Sequence, residues 1–202
     1  MTDPASKKSD QIAAVLAARV VRGDFAPGEK LRQDQIAREF GTSHVPVREA
    51  LLLLVAQGLA VSLPRRGVCV APLDQRAVHE LRVMRQALEP VALAQSIPHL
   101  STDQIEAAEA ARLRCDAADN VHDWEEANRD FHNAIIAGCA MPRLTQEISN
   151  LQLLYARHFL AHHAGRWRQR VDADHLAILA AIRDRDVARA GAVLQRHLAR
   201  LI

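Results

Sequence analysis

Apolar residues return along most of this chain with the period of a helix. Ile12 to Val21 carries them at helical spacing, and "RGDFAPGEKL" (Arg22 to Leu31) is a turn-rich connection. "RQDQIAREF" (Arg32 to Phe40) predicts a short amphipathic helix with Ile36, Ala37 and Phe40 inward. A further helix follows Gly41. Ser43 is placed to cap it with its hydroxyl, and Pro46 falls in its first turn, where a missing N–H costs little. Val47, Ala50, Leu51, Leu54 and Val55 form its apolar face, and Gly58 ends it. Ser43, His44, Val45 and Arg48 are left at its exposed N-terminal end, a shape suited to an anionic partner. The period then changes to two. "LAVSL" (Leu59 to Leu63) and "GVCVAPL" (Gly67 to Leu73) read as strands around "PRRG" (Pro64 to Gly67), a turn with Arg65 and Arg66 at its tip.

Two helices joined by a tight turn, the second presenting its N-terminus, and then an arginine-tipped hairpin describe a winged helix-turn-helix. In that arrangement the second helix enters the major groove of DNA and the wing meets the neighbouring backbone or minor groove. The alternative is a small helical domain with a hairpin and no such partner. From Asp74 onward the helical period runs to the end. It predicts helices over Asp74 to Ser96, Thr102 to Asp119, Asp123 to Gly138, Met141 to His163, Val171 to Arg185 and Asp186 to Leu201. Thr102 and Asp172 are candidate caps; Pro98, Gly138 and Gly165 punctuate. The expected fold is mostly α, a winged helix-turn-helix followed by an all-α bundle of about six helices. Its expected divisions are a disordered N-terminus at 1–8, a DNA-binding domain at 9–72, a linker at 73–77 and a helical domain at 78–202.

Composition narrows the class. With 49% apolar residues but only 3% aromatic, and few glycines or prolines, the chain favours an ordered helical protein over a sheet protein or a disordered one. No apolar run approaches the ~20 residues of a membrane helix, and Met1 to Asp10 lacks the apolar core of a signal peptide. Cys69, Cys115 and Cys139 are odd in number and widely spaced, which fits a reducing cytoplasm. Charge is uneven: residues 1–72 hold ten Lys/Arg against seven Asp/Glu, and the remainder sixteen against seventeen. The basic surplus at the front agrees with nucleic-acid contact without establishing it.

The stretch "APGEKL…QIAREFGTSHVPVREALLLLVAQGLAV…RRGVCV" (Ala26 to Val70) closely resembles the DNA-binding domain of GntR-family bacterial transcription regulators. The helical remainder resembles the effector domain, called FCD, of the FadR-like branch of that family. "ELRVMRQALEPVAL" (Glu80 to Leu93) is similar to the opening helix of such domains. "NRDFHNAII" (Asn128 to Ile136), "DHLAIL" (Asp174 to Leu179) and "RHLARL" (Arg196 to Leu201) are similar to their metal-site signature. The resemblance implies a cytoplasmic homodimer that binds a short inverted repeat in double-stranded DNA, more often as a repressor. A small organic-acid effector entering the helical domain would release or tighten that grip. It places Arg32, Ser43, Val45 and Arg48 against DNA, with Arg65, Arg66 and Gly67 in the wing. His44 stands where the family usually has arginine and Val45 where threonine is frequent, so a family operator sequence does not transfer.

Nine of the ten histidines lie in the helical domain. His132 follows Asn128 by four residues, so the two side chains share one helix face about a turn apart. His175 and His197 lie on the last two predicted helices, and the resemblance brings all four together as ligands of a divalent metal. Three imidazoles and an amide oxygen suit zinc first, with nickel or manganese as alternatives. Most relatives carry aspartate at the Asn128 position, so a weaker and altered metal preference is expected. Asp130 cannot substitute, because two residues along a helix turn its side chain roughly 200° away. The competing reading is that these are satisfied core or surface histidines. Arg85 matches an arginine that faces the family's pocket and could clamp a carboxylate beside the metal; Arg82 is the alternative, and His158 could reach the same pocket. Against this, Arg85 could simply pair with Glu89 at i+4 on the surface. His79, His99, His122, His162 and His163 read as surface. A metal-dependent enzyme acting on a small carboxylate is the rival function, but no HExxH, carboxylate pair or activated Ser or Cys arrangement supports it. A regulator whose metal is purely structural is the third.

Overall fold

The computed structural model describes residues 4–200, and the chain divides into two compact units, Met1–Asp74 and Gln75–Ile202. In the first, α1 (Pro4–Arg22), α2 (Gln33–Glu39) and α3 (His44–Ala56) precede a hairpin of β1 (Ala60–Leu63) and β2 (Gly67–Val70). Ile12, Leu16 and Val20 of α1 pack with Val47, Ala50, Leu51 and Leu54 of α3, all almost completely buried. α1 begins at Pro4, within the stretch expected to be disordered; residues 1–3 lie outside the described residues. Proline is pre-set for a first helical turn, and the residues after Pro4 prolong the amphipathic helix that Ile12 continues.

Both helix ends around the turn are closed by glycine at positive φ. Gly41 (φ 55°) follows α2, and Thr42 N–H reaches back to Ala37 O. Gly58 (φ 74°) follows α3, and Leu59 N–H bonds Leu54 O. At the other end of α3, Ser43 has extended backbone as a cap should, but its hydroxyl makes no capping bond. That expectation is corrected: Pro46 has no N–H to offer, which removes one of the usual targets of a capping side chain. The hairpin pairs Ala60 with Val70 through Leu63 with Gly67, and Arg65 sits at positive φ in its turn. The segment before α2, expected to be only a turn, adds a β-bridge from Lys30 to Cys69, with Leu31 N–H on Val68 O.

In the second unit α4 (Gln75–Ser96) leads through a 3-10 turn (Ile97–His99) to α5 (Thr102–Ala117), α6 (Val121–Ile135), α7 (Pro142–His163), α8 (Ala173–Arg183) and α9 (Val187–Ala199). The linker expected at 73–77 is shorter, because Gln75, Arg76 and Ala77 already form the first turn of α4. Ser101, not Thr102, caps α5, in a capping box with Gln104. Asp172 caps α8 as expected, accepting from Asp174 N–H and His175 N–H. α5 lies along α6, α4 packs on α7 and α9, and α8 on α9. Leu93, Ile97, Phe131, Ile135, Ile148, Ile178, Leu179 and Leu194 fill the apolar part of the core between them.

Gly138, which the sequence marks as punctuation, is a packing requirement. Its N–H bonds Ser96 Oγ at 2.9 Å, and a Cβ built on it would meet Ser96 O at 2.6 Å. Backbone cannot yield as a side-chain tip can. Gly138→Ala should therefore destabilise the helical unit by about 1–3 kcal/mol, read as a lowered unfolding midpoint. An unchanged midpoint would show that the two backbones can part at no cost.

Candidate functional site: a buried histidine cluster and an exposed recognition helix

α6 is strongly amphipathic, and its inward face carries Trp124, Glu125, Asn128, Phe131, His132 and Ile135. Asn128 and His132 therefore project into the bundle one turn apart. His175 enters from the first turn of α8 and His197 from the last turn of α9. His132 and His175 are completely buried, His197 nearly so, and the potential ligand atoms of the three lie within 4.8 Å of one another. The Phe131 ring stacks on His175 at 4.1 Å and holds its plane. The three histidines are thus brought together, with Asn128 on the same face of α6 one turn before His132. Asp130 points outward to Arg114 at 2.8 Å, as its place on the helix requires.

Sequence spacing does not predict the neighbours of this cluster. Glu89 of α4, wholly buried, receives the His132 Nδ1–H at 2.9 Å and the Arg85 Nε–H at 2.5 Å. A carboxylate on Nδ1 selects the tautomer whose Nε2 lone pair faces into the cluster. Burial pushes the Glu89 carboxyl up, but Arg85 and His132 outweigh it and hold it down at about 2. Burial lowers His175 well below its usual value, helped by His132 and His197. It brings His197 to about 4, although Asp172 and Asp174 pull the other way. Both imidazoles are therefore neutral at pH 7, the form in which histidine binds metal. Asp172 and Asp174 stand 3.8 and 3.7 Å from His197 Nδ1, and Asp174 is held by Arg196 and Arg200 at 2.9 Å each.

Among the described residues, Asn128 Oδ1, His132 Nε2, both ring nitrogens of His175 and His197 Nε2 are buried here without a hydrogen-bond partner. Unpaired buried polar atoms are uncommon and cost about 1–3 kcal/mol each. Here they belong to the four residues expected as ligands, so those residues fit a divalent ion.

Arg85 is buried, as a pocket residue would be, yet it pairs with Glu89; the ion pair expected at the surface forms in the interior instead. Arg85 lines a small cavity with Glu125, Asn128, Gln152 and Tyr155, its guanidinium 5.0 Å from the Tyr155 ring. Enclosed space there is about 10 Å³, room for roughly one water. Arg82 is half-buried and meets His79 Nδ1 at 3.1 Å; it does not line that cavity, although its charge acts on Tyr155, which does. His158 does not line that cavity either. It lines a different cavity of about 320 Å³ with Gln75, His162, His163 and Arg166, because its place on α7 turns it toward the start of α4. His79, His99, His122 and His162 are exposed; His163 is half-buried against Phe159. Glu89, Glu125 and Gln152 are site neighbours that the sequence alone does not single out. A signal exists for the first, since Arg85 and Glu89 continue the stripe of Leu81, Ala92 and Leu93 along α4 at positions that should be apolar.

In the first unit Arg32, Ser43, His44, Val45, Arg48, Arg65, Arg66 and Gly67 are not buried, and most are well exposed. Among the described residues no acid pairs with Arg32, Arg48, Arg65 or Arg66. His44 Nδ1 stands 3.6 Å from Asp34.

Residues 8–70 match the family described as bacterial regulatory proteins, gntR family, and residues 80–200 match the FCD domain. The chain is 32% identical over 194 residues to the HTH-type transcriptional regulator BphR of Paraburkholderia xenovorans, covering 91% of this chain and 79% of that one. It is 29% identical over 197 residues to the HTH-type transcriptional repressor GlaR of Escherichia coli, covering 89% and 87%. The solved structure of Escherichia coli McbR/YncC superposes with a TM-score of 0.81 at 23% identity, over 100% of this chain and 98% of that one. These relatives are transcription regulators, not enzymes. The chain belongs to the GntR family, in its FadR-like branch with an FCD domain, and is a DNA-binding transcription regulator.

Two variants test the buried electrostatics. Arg85→Ala strands the Glu89 charge and should cost about 3–5 kcal/mol, part of which Arg85→Ala/Glu89→Gln should recover; equal midpoints for the single and the double variant would refute the pairing. Burial pushes Glu125 up to about 7, against Arg129 at 3.6 Å and Arg85. Between its ordinary 4.5 and 7 the folded chain keeps a proton that the unfolded chain has released, so stability falls as pH rises through that window. Glu125→Gln should therefore stabilise by on the order of 3 kcal/mol at pH 8 but under about 1 kcal/mol at pH 5. Equal gains at both pH values would mean that Glu125 is ionised in the fold.

Proposed function

We propose that this regulator is a cytoplasmic homodimeric repressor whose helical domain senses a small organic acid beside a bound divalent metal, zinc first. The unpartnered donor set of Asn128, His132, His175 and His197 carries the reading. A bound ion would supply a positive centre able to take an oxygen of the acid. The protein's own residues orient and desolvate: Glu89 fixes His132, Phe131 fixes His175, and Arg85 borders the cavity that Asn128 shares. Asn128 brings no charge, so this site should hold its ion more weakly than one with a carboxylate there. No helix of the described residues is long and apolar enough to cross a membrane. The name of GlaR supports repression.

On DNA, we place the α3 end (Ser43, His44, Val45, Arg48) in the major groove of each half of a short inverted repeat. Arg32 and the wing residues Arg65, Arg66 and Gly67 lie along the backbone or minor groove. Arginines with no acid partner are available to meet phosphate, each releasing counterions, so affinity should fall steeply with salt. Arg48→Ala should weaken binding by about 1–3 kcal/mol, while an affinity flat between low and moderate salt would contradict this interface.

Thermal melting tests the sensor half. Zinc should raise the midpoint and a chelator reverse it. One class of organic acid should raise it further only with metal present, by roughly 5–10 °C at ~100 times its dissociation constant. A rise with metal alone would make the ion structural; no rise with zinc, nickel or manganese would refute the metal site.

A further inference from the structure

Gln152 is a polar anomaly in the inward face of α7. That face also carries Ile148, Leu151, Tyr155 and Ala156, and Gln152 is 3% exposed among them. Its carboxamide can donate two hydrogen bonds and accept others, yet neither Nε2 nor Oε1 has a partner among the described residues. The point holds for either orientation of the amide, since both ends are unmatched. Gln152 lines the same small cavity as Arg85 and Asn128.

The arginines beside that cavity already have acidic neighbours. Arg85 is taken by Glu89 at 2.5 Å, and Arg129 stands 3.6 Å from Glu125. A plain alkyl acid could engage an ion on the histidines through its carboxylate, but its chain would leave Gln152 unmatched. A hydroxyl both donates and accepts, and a carboxamide can pair with another in a two-bond ring. A site whose buried polar group waits for such a partner rejects ligands lacking it far more sharply than an apolar pocket rejects an extra methylene.

We propose that Gln152 is the specificity-determining residue of the effector pocket, selecting small acids that carry a hydroxyl or carboxamide over their unsubstituted counterparts. The enclosed space holds about one water, so even a small acid reaches Gln152 only with outward movement of the lining side chains. The assignment rests on the metal-assisted reading above.

The test uses full-length, zinc-loaded protein and matched acids: lactate against propionate, malate against succinate, and succinamate against butyrate, with dissociation constants from calorimetry. The wild type should bind the substituted member of at least one pair about 10-fold or more tighter. Gln152→Met conserves volume and removes the unmatched amide, so that ratio should collapse to within about threefold. The same variant, without acid, should melt about 2–6 °C higher, because an uncompensated polar group has gone. Equal binding of both members of every pair in the wild type would overturn the assignment alone. So would a ratio that survives Gln152→Met, or a variant that melts lower. If no acid of either kind binds the wild type, the metal-assisted sensor reading fails, and the role of Gln152 with it.

Discussion

Glu89 sits in the middle of α4 with no solvent to screen its charge, and it is tolerable there only because Arg85 and His132 both donate to it. The helical domain is organised around that requirement. It ties α4 to α6, sets which nitrogen of His132 carries the proton, and so sets which nitrogen faces the other histidines. Pro90 follows immediately inside the helix, where it removes one backbone hydrogen bond. Packing of Ala92 and Leu93, completely buried in the next turn, holds the helix through it.

The polar groups fall into two kinds. Glu89, Asp174 and Arg112 are fully engaged: Arg112 bonds Glu109 and Asp116, and Arg183 reaches Glu109. Asn128 Oδ1, the Gln152 amide and the Nε2 atoms of three histidines are not. A fold selected for stability alone would have replaced the second kind with apolar side chains, since matched pairs are nearly neutral and unmatched ones costly. Their grouping on α6, α7, α8 and α9, while Ile97, Ile135 and Ile178 fill the apolar core, is what supports the proposed site within the bundle.

The first unit distributes its chemistry differently. Its core is dominated by apolar side chains and its functional candidates are on the outside, at one helix end and one hairpin tip. Glycines at positive φ close α2 and α3 without consuming side chains. The α3 terminus is shaped by Pro46 and backbone geometry, while Ser43 keeps its hydroxyl free of a capping bond. The bridge from Lys30 to Cys69 adds a third backbone segment beside the wing and stiffens its base.

Much of this is legible in the sequence because it rests on local spacing. The stripe of Val47, Ala50, Leu51 and Leu54, the alternation around Pro64 to Gly67, the Asp172 cap and the Asn128–His132 pair each depend on residues a few positions apart, whose geometry a helix or hairpin dictates. The gathering of His175 and His197 beside that pair is implied by family resemblance, since nothing local relates residues on three helices. Tertiary packing alone decides the rest. Whether Arg85 meets solvent, an effector or Glu89, whether His158 faces the histidines or α4, and whether Gln152 finds a partner all depend on which helix lies opposite. That is a property of distant segments meeting, and burial then turns each unmatched donor or acceptor into an energetic fact that sequence spacing cannot express.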